Sequence, residues 1–133
     1  DGTLAFAMQW EGDVAESVPL LGLWTPGSAP RLCDTLPEEA TVMQGYAGSV
    51  AFSGDGTRVG ITSPKGGAVM IFDAAGQPVA THRRADLCGL AAADGAGFTA
   101  TDGQGAVWSC TDEGLDLRAN IATLWDNHLI RIG

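Results

Sequence analysis

Asp55-Gly56-Thr57-Arg58-Val59-Gly60-Ile61-Thr62-Ser63-Pro64-Lys65-Gly66-Gly67-Ala68-Val69-Met70-Ile71-Phe72-Asp73 is the stretch that decides the fold. An Asp-Gly turn opens an apolar run, Pro64-Lys65-Gly66-Gly67 reverses it, and a second run over 68–72 is apolar at every position. A strand with one wet face alternates polar and apolar residues, so an unbroken apolar run implies a strand covered on both faces. The pattern recurs: Asp94-Gly95 opens Phe98-Thr99-Ala100-Thr101, and Asp1-Gly2 opens Leu4-Ala5-Phe6-Ala7-Met8, with Gly12, Gly66 and Gly105 each eleven residues after the Asp.

The second and third units correspond beyond these turns. Gly67-Ala68-Val69-Met70-Ile71-Phe72-Asp73 matches Gly105-Ala106-Val107-Trp108-Ser109-Cys110-Thr111, and each is followed by a turn and a short outer strand, 78–82 or 115–119. One more apolar run precedes each Asp-Gly, at 48–52 and 88–92, which makes four strands per unit with a period of 39 residues between Asp55 and Asp94. Units of this length that cannot bury their own faces stack against their neighbours. The expected fold is all-β: a β-propeller fragment of about three four-stranded antiparallel blades plus a C-terminal inner strand. A β-sandwich is the alternative, but it does not account for the four-strand period.

The expected organisation is a partial blade over 1–45, blades over 46–84 and 85–120, and an inner or ring-closing strand over 121–133. Residues 34–46 interrupt the β pattern. Thr35-Leu36-Pro37-Glu38 has a capping residue, a proline near the first turn and an acid three positions after the cap, so a short helical insertion is expected near 35–45. The chain starts inside a repeat turn rather than with Met, and reads as part of a longer parent whose missing blades cover its exposed apolar faces.

The formal net charge is −9, with 16 Asp and Glu against 7 Lys and Arg, which opposes binding to nucleic acid or anionic lipid. No run of 18 apolar residues is present, so no membrane insertion is expected. Cys33, Cys88 and Cys110 lack metal-finger spacing. If Cys88 and Cys110 lie on the first and third strands of one sheet, the strand between separates them by roughly 9–10 Å, too far for a disulfide. Buried free thiols are expected.

Chemistry has one candidate location. The innermost strand of each propeller blade lines the central channel, and three comparable starts bring polar residues there: Tyr46-Ala47-Gly48-Ser49-Val50, Asp86-Leu87-Cys88-Gly89-Leu90 and Trp125-Asp126-Asn127-His128-Leu129. The candidate ligand-binding residues are Tyr46, Ser49, Asp86, Cys88, Trp125, Asp126, Asn127 and His128, with Gln9 and Glu11 on a neighbouring loop. Asp86, Asp126 and His128 are candidate ligands for a transition metal ion, since carboxylate and imidazole suit such ions. Hydrogen bonding to loop backbone is the competing role for all of them. No G-x-S-x-G elbow ties either histidine to a nucleophile. His82-Arg83-Arg84 is expected to be an exposed strand end, Pro64-Lys65-Gly66-Gly67 a hairpin rather than a phosphate loop, and Trp24 and Trp108 packing residues.

Phe6-Ala7-Met8-Gln9-Trp10-Glu11-Gly12, Gly48-Ser49-Val50-Ala51-Phe52, Thr62-Ser63-Pro64-Lys65-Gly66-Gly67, Asp86-Leu87-Cys88-Gly89 and Trp125-Asp126-Asn127-His128-Leu129 together span the chain. In these strings the sequence resembles an uncharacterised bacterial family, a domain of unknown function, of β-propeller proteins usually exported by the twin-arginine route. The resemblance implies the C-terminal part of a protein more than twice as long, a seven-bladed ring, a periplasmic location and a genomic neighbourhood that includes imelysin-like iron-uptake proteins. It supplies no catalytic residues, and the chain departs from the family's pattern in lacking an export signal and the first blades.

Two functions follow as expectations. One is a non-catalytic periplasmic binding or scaffold protein associated with iron acquisition, with periplasmic iron-uptake proteins as partners. The other is an enzyme, a hydrolase, lyase or quinone-linked oxidoreductase, with its site at the propeller axis. That second reading needs a ligand-sized void and two titratable groups of shifted pKa.

Overall fold

The computed structural model describes residues 2–132, so Asp1 of the first Asp-Gly turn lies outside the described residues. Among the described residues, eleven strands form three antiparallel sheets. The first holds β1 (Leu4–Ala7), β2 (Leu21–Trp24) and β3 (Arg31–Cys33) in that order. The second runs β4 (Ser49–Phe52), β5 (Arg58–Ser63), β6 (Ala68–Asp73) and β7 (Pro78–Arg83). The third repeats that order with β8 (Leu87–Ala92), β9 (Phe98–Asp102), β10 (Ala106–Thr111) and β11 (Gly114–Asn120). The sheets are not closed into a barrel, and the chain is an all-β propeller fragment.

The apolar run that decides the fold becomes β6, and its two faces enter different cores. Ala68, Met70 and Phe72 pack with Leu21, Leu23, Cys33, Met43, Val59 and Ile61 between the first and second sheets. Val69 and Ile71 pack with Leu87, Leu90, Phe98, Ala100 and Cys110 between the second and third. Strand geometry sends successive side chains to opposite faces, so a middle sheet must be apolar on both. Polar atoms at these contacts are matched: Thr62 Oγ1 donates to the Cys88 carbonyl at 2.5 Å and Ser63 Oγ to the Met43 carbonyl at 2.9 Å. On the opposite rim, Arg58 grips Asp112 with Nε and Nη2, at 2.8 and 2.7 Å from Oδ2, and ties the second sheet to the third.

The alternation of strand direction puts the β5–β6, β7–β8 and β9–β10 connections at one end of the blades. The insertion joins that end, because Met43 and Val42 lie against the Ser63 and Gly66 hairpin. It is shorter than the sequence suggests. Only Pro37–Glu39 is helical, as one 3-10 turn, and its N-cap is Leu36 with no side-chain capping bond rather than Thr35. Separate turns follow, from Val42 N–H to the Glu39 carbonyl, Gln44 to Thr41 and Tyr46 to Met43. Burial of Met43 in the core and positive φ at Gln44 and Gly45 (50° and 68°) bend the segment before a regular helix can propagate.

The expected inner strand over 121–133 is also corrected: among the described residues, 121–132 form no strand. This tail lies against β4 and β8 through mixed contacts instead of a backbone ladder. His128 N–H donates to Ser49 Oγ at 3.2 Å, Cys88 Sγ donates to the Trp125 carbonyl at 3.7 Å, and Arg131 pairs with Asp94 at 2.8 Å. His128 has φ of 74°, a left-handed conformation that breaks an extended ladder at that point.

Candidate functional site

The hub contains a cleft of about 400 Å³, lined by Ala7, Gln9, residues 47–50, Leu90 and residues 128–130 of the tail. Its walls come from all three sheets. Beyond β1, Gln9 forms a bridge with Tyr46, flanked by Trp10 N–H to the Gly45 carbonyl at 2.7 Å and Ala47 N–H to the Met8 carbonyl at 3.2 Å, so the first sheet is fastened to the entry of the second. Ser49 projects from β4 and accepts from the His128 backbone.

Two glycines let the tail come this close. A Cβ on Gly48 would stand 2.9 Å from Asn127 Oδ1 and 3.1 Å from Tyr46 Cε1, and one on Gly89 would stand 3.1 Å from the Leu129 Cβ. All three distances are tighter than ordinary van der Waals contacts. Gly48 and Gly89 therefore leave two gaps in the floor where residues 126–129 rest, while the adjoining Ser49 and Cys88 side chains hydrogen-bond to the tail's backbone.

Gln9, Ser49 and His128 share the cleft, Tyr46 and Asn127 meet over Gly48, and Trp125 meets Cys88. Asp126 turns its carboxylate back to accept from the Asn127 N–H at 2.7 Å. Glu11 lies exposed beyond the Gln9 bridge and does not line the cleft. Asp86, with φ of 58°, belongs to a different concavity beside Lys65 and Arg84. Two buried polar atoms at the hub have no hydrogen-bond partner among the described residues: the Trp125 Nε1 donor and the Asn127 Oδ1 acceptor.

A transition metal ion does not fit the proposed ligands. Among the described residues no three His, Cys, Asp or Glu side chains are grouped to hold one. The Asp126 carboxylate is engaged with its own backbone, while Asp86 stands on the rim. All three cysteines are free and buried, with Cys88 and Cys110 separated by β9 as expected. Burial pushes each thiol up, Cys110 to about 12. For Cys88, bonds from Gly89 N–H and Thr101 act against burial, and the nearby Asp86 and Asp126 charges act with it. A thiol held protonated is a poor nucleophile and a poor metal ligand.

The sequence reading missed one polar centre. Asp102, at the end of β9, is fully buried and accepts from Gln104 N–H (3.0 Å), Ala106 N–H (3.1 Å), Arg84 Nε (2.8 Å) and Trp108 Nε1 (3.2 Å). Burial pushes its carboxyl up, yet the Ala106, Arg84, Trp108 and Gln104 bonds together outweigh burial and hold it below the usual carboxylate value. Arg84 is thus not a solvated strand end: its guanidinium also lies 4.7 Å above the Trp108 ring. His82 is likewise engaged, its Nε2 sitting 2.8 Å from the Thr111 carbonyl. The local signal was Asp102-Gly103-Gln104-Gly105, an Asp whose side chain closes its own hairpin.

No curated protein matches the chain. The family model described as protein of unknown function (DUF1513) matches residues 1–132, and the chain belongs to that family.

Proposed function

We propose that this chain is a non-catalytic binding or scaffold module whose contact surface is the hub cleft together with the rim carrying the Pro37–Glu39 turn. The observation that carries the reading is the cleft itself, a concavity at the hub walled by all three sheets and by the tail. Beside it Trp125 Nε1 and Asn127 Oδ1 are buried without partners, at about 1–3 kcal/mol each, which marks the tail as a segment held at a cost to stability. The cleft's lining favours recognition over chemistry. His128 is the one titratable side chain among the described residues that line it, whereas acid–base catalysis at the axis calls for a second.

The resemblance adds the setting. We place the module in the periplasm, beside iron-acquisition proteins of the imelysin-like type, with the blades of a longer parent chain against its open faces. In this role the propeller binds a protein and does not hold the metal itself.

The test is a titration of the isotope-labelled chain with an imelysin-like protein, read by amide shifts. Saturable shifts at Gln9, Ser49 and residues 125–129 are expected, with at least a fivefold weaker association for a Gln9→Ala, Asn127→Ala variant. Shifts absent at saturating partner, or present only on the opposite rim, would refute the reading.

A further inference from the structure

A second concavity, of about 650 Å³, opens between the β5–β6 hairpin and the β7–β8 connection, at the end of the blades that also carries the insertion. Its walls include Lys65, Arg83, Arg84 and Asp86. Three of the chain's seven Lys and Arg residues therefore gather in one cleft of a molecule whose formal charge is −9. Like charges gathered in one cleft repel unless something negative is placed among them. Asp86 is the one carboxylate among the described lining residues.

The cations are held in different ways, and the difference matters. Arg84 is fixed by Asp102 behind it and by the Trp108 ring, an arrangement that uses Nε and leaves Nη1 and Nη2 without a hydrogen-bond partner among the described residues. Asp102 also offsets the Arg84 charge, so Arg84 contributes mainly oriented donors. Arg83 donates Nη1 to the Gly66 carbonyl at 3.2 Å, which steers it over the hairpin, and no carboxylate faces it among the described residues. Lys65 is exposed at the hairpin tip and has no ion-pair partner among the described residues. Elsewhere Arg58 and Arg131 are already paired with Asp112 and Asp94.

We infer that this cleft binds a small multivalent oxyanion, a polycarboxylate or a phosphate ester. The planar, pre-oriented guanidinium groups offer forked donors to a carboxylate or phosphate, and Lys65 supplies a mobile point charge at the mouth. This hairpin is not a phosphate loop: the anion would be held by side chains of the β5–β6 hairpin, the end of β7 and the connection that follows it, not by backbone at a helix start. The site is separate from the hub cleft and stands or falls independently of it.

Citrate and pyrophosphate, titrated separately at low salt, distinguish the carboxylate and phosphate sources. Calorimetry and the amide shifts of residues 65–67 and 83–86 are the readouts. Saturation at or below about 1 mM is expected in at least one arm. A Lys65→Ala, Arg83→Ala variant should lose at least tenfold in affinity while its melting temperature stays close to the parent's, since both side chains are exposed. Arg118→Ala, on the exposed outer strand β11, should bind as the parent does. No saturation in either arm, shifts confined to other residues, or an equal loss in Arg118→Ala would overturn the inference.

Discussion

Replacing Asp102 by Ala should cost about 2.5–6 kcal/mol of folding stability, although the residue belongs to no candidate binding surface. The substitution strips four donors of their acceptor at once. The Ala106 N–H lies in a buried hydrogen bond, and leaving it unsatisfied costs about 1–3 kcal/mol. The other three donors are partly accessible and can recruit water, so each contributes about 0.5–1 kcal/mol. The Arg84 side chain is 36% exposed, which discounts its ion pair for solvent screening. An unfolding entropy of about 2.1 cal/mol/K per residue gives roughly 0.28 kcal/mol/K for a chain of this size, and the melting temperature should fall by about 9–21 °C. Asp102→Asn should lose less, because an amide oxygen can still accept from Gln104 and Ala106 while its NH₂ group faces the donors of Arg84 and Trp108. Thermal and urea unfolding at pH 7 measure both variants. The Asp102 carboxyl is held below its ordinary value in the folded chain, so the unfolded chain takes up protons first as pH falls. Its contribution is complete above about pH 4 and is lost as pH drops through the folded value, so the gap between parent and Asp102→Ala should narrow below about pH 4. A melting loss under 3 °C for Asp102→Ala, or a gap that widens in acid, would refute the reasoning.

The remaining expectations concern the thiols, the tail and metal ions. In the folded chain Cys33, Cys88 and Cys110 should react with a thiol reagent at pH 8 far more slowly than in guanidinium, with Cys110 the slowest; rapid native labelling of Cys110 would contradict its burial and raised pKa. Gly89→Ala should lift the tail off β8, since the new Cβ meets Leu129 and Thr101, and should destabilise by about 1–3 kcal/mol while making Cys88 more reactive. Unchanged Cys88 labelling in that variant would show that the tail does not seal this strand. Zinc, copper, ferrous and ferric titrations should reveal no site that depends on Asp126 or His128; a tenfold or greater loss of affinity in an Asp126→Ala, His128→Ala variant would restore the metal reading.

Particular residues show why the fold was legible and the sites were less so. The run 68–72 stated that both faces of its sheet are covered, and the structure divides those residues between two cores in strict alternation. The Asp-Gly turns and the glycines after them set the strand count, because backbone reversals are local and written in the residues that make them. The candidate hub residues came from comparing strand starts, which identifies equivalent positions without giving directions. Ser49, Gln9 and His128 were brought to one cleft, while Asp86 went to the rim and Asp126 turned back on its own backbone.

By itself, then, the sequence determined what depends on neighbours along the chain: strand after strand, the turn chemistry, the period and the need for stacking. Tertiary structure alone decided what depends on separations of tens of residues. It set Arg84 against Asp102 and Trp108, gave the tail from Trp125 an irregular course over Gly48 and Gly89, and collected Lys65 and Arg83 around one cleft. Such meetings are fixed by how sheets stack and twist against one another. Local propensity has no term for that packing.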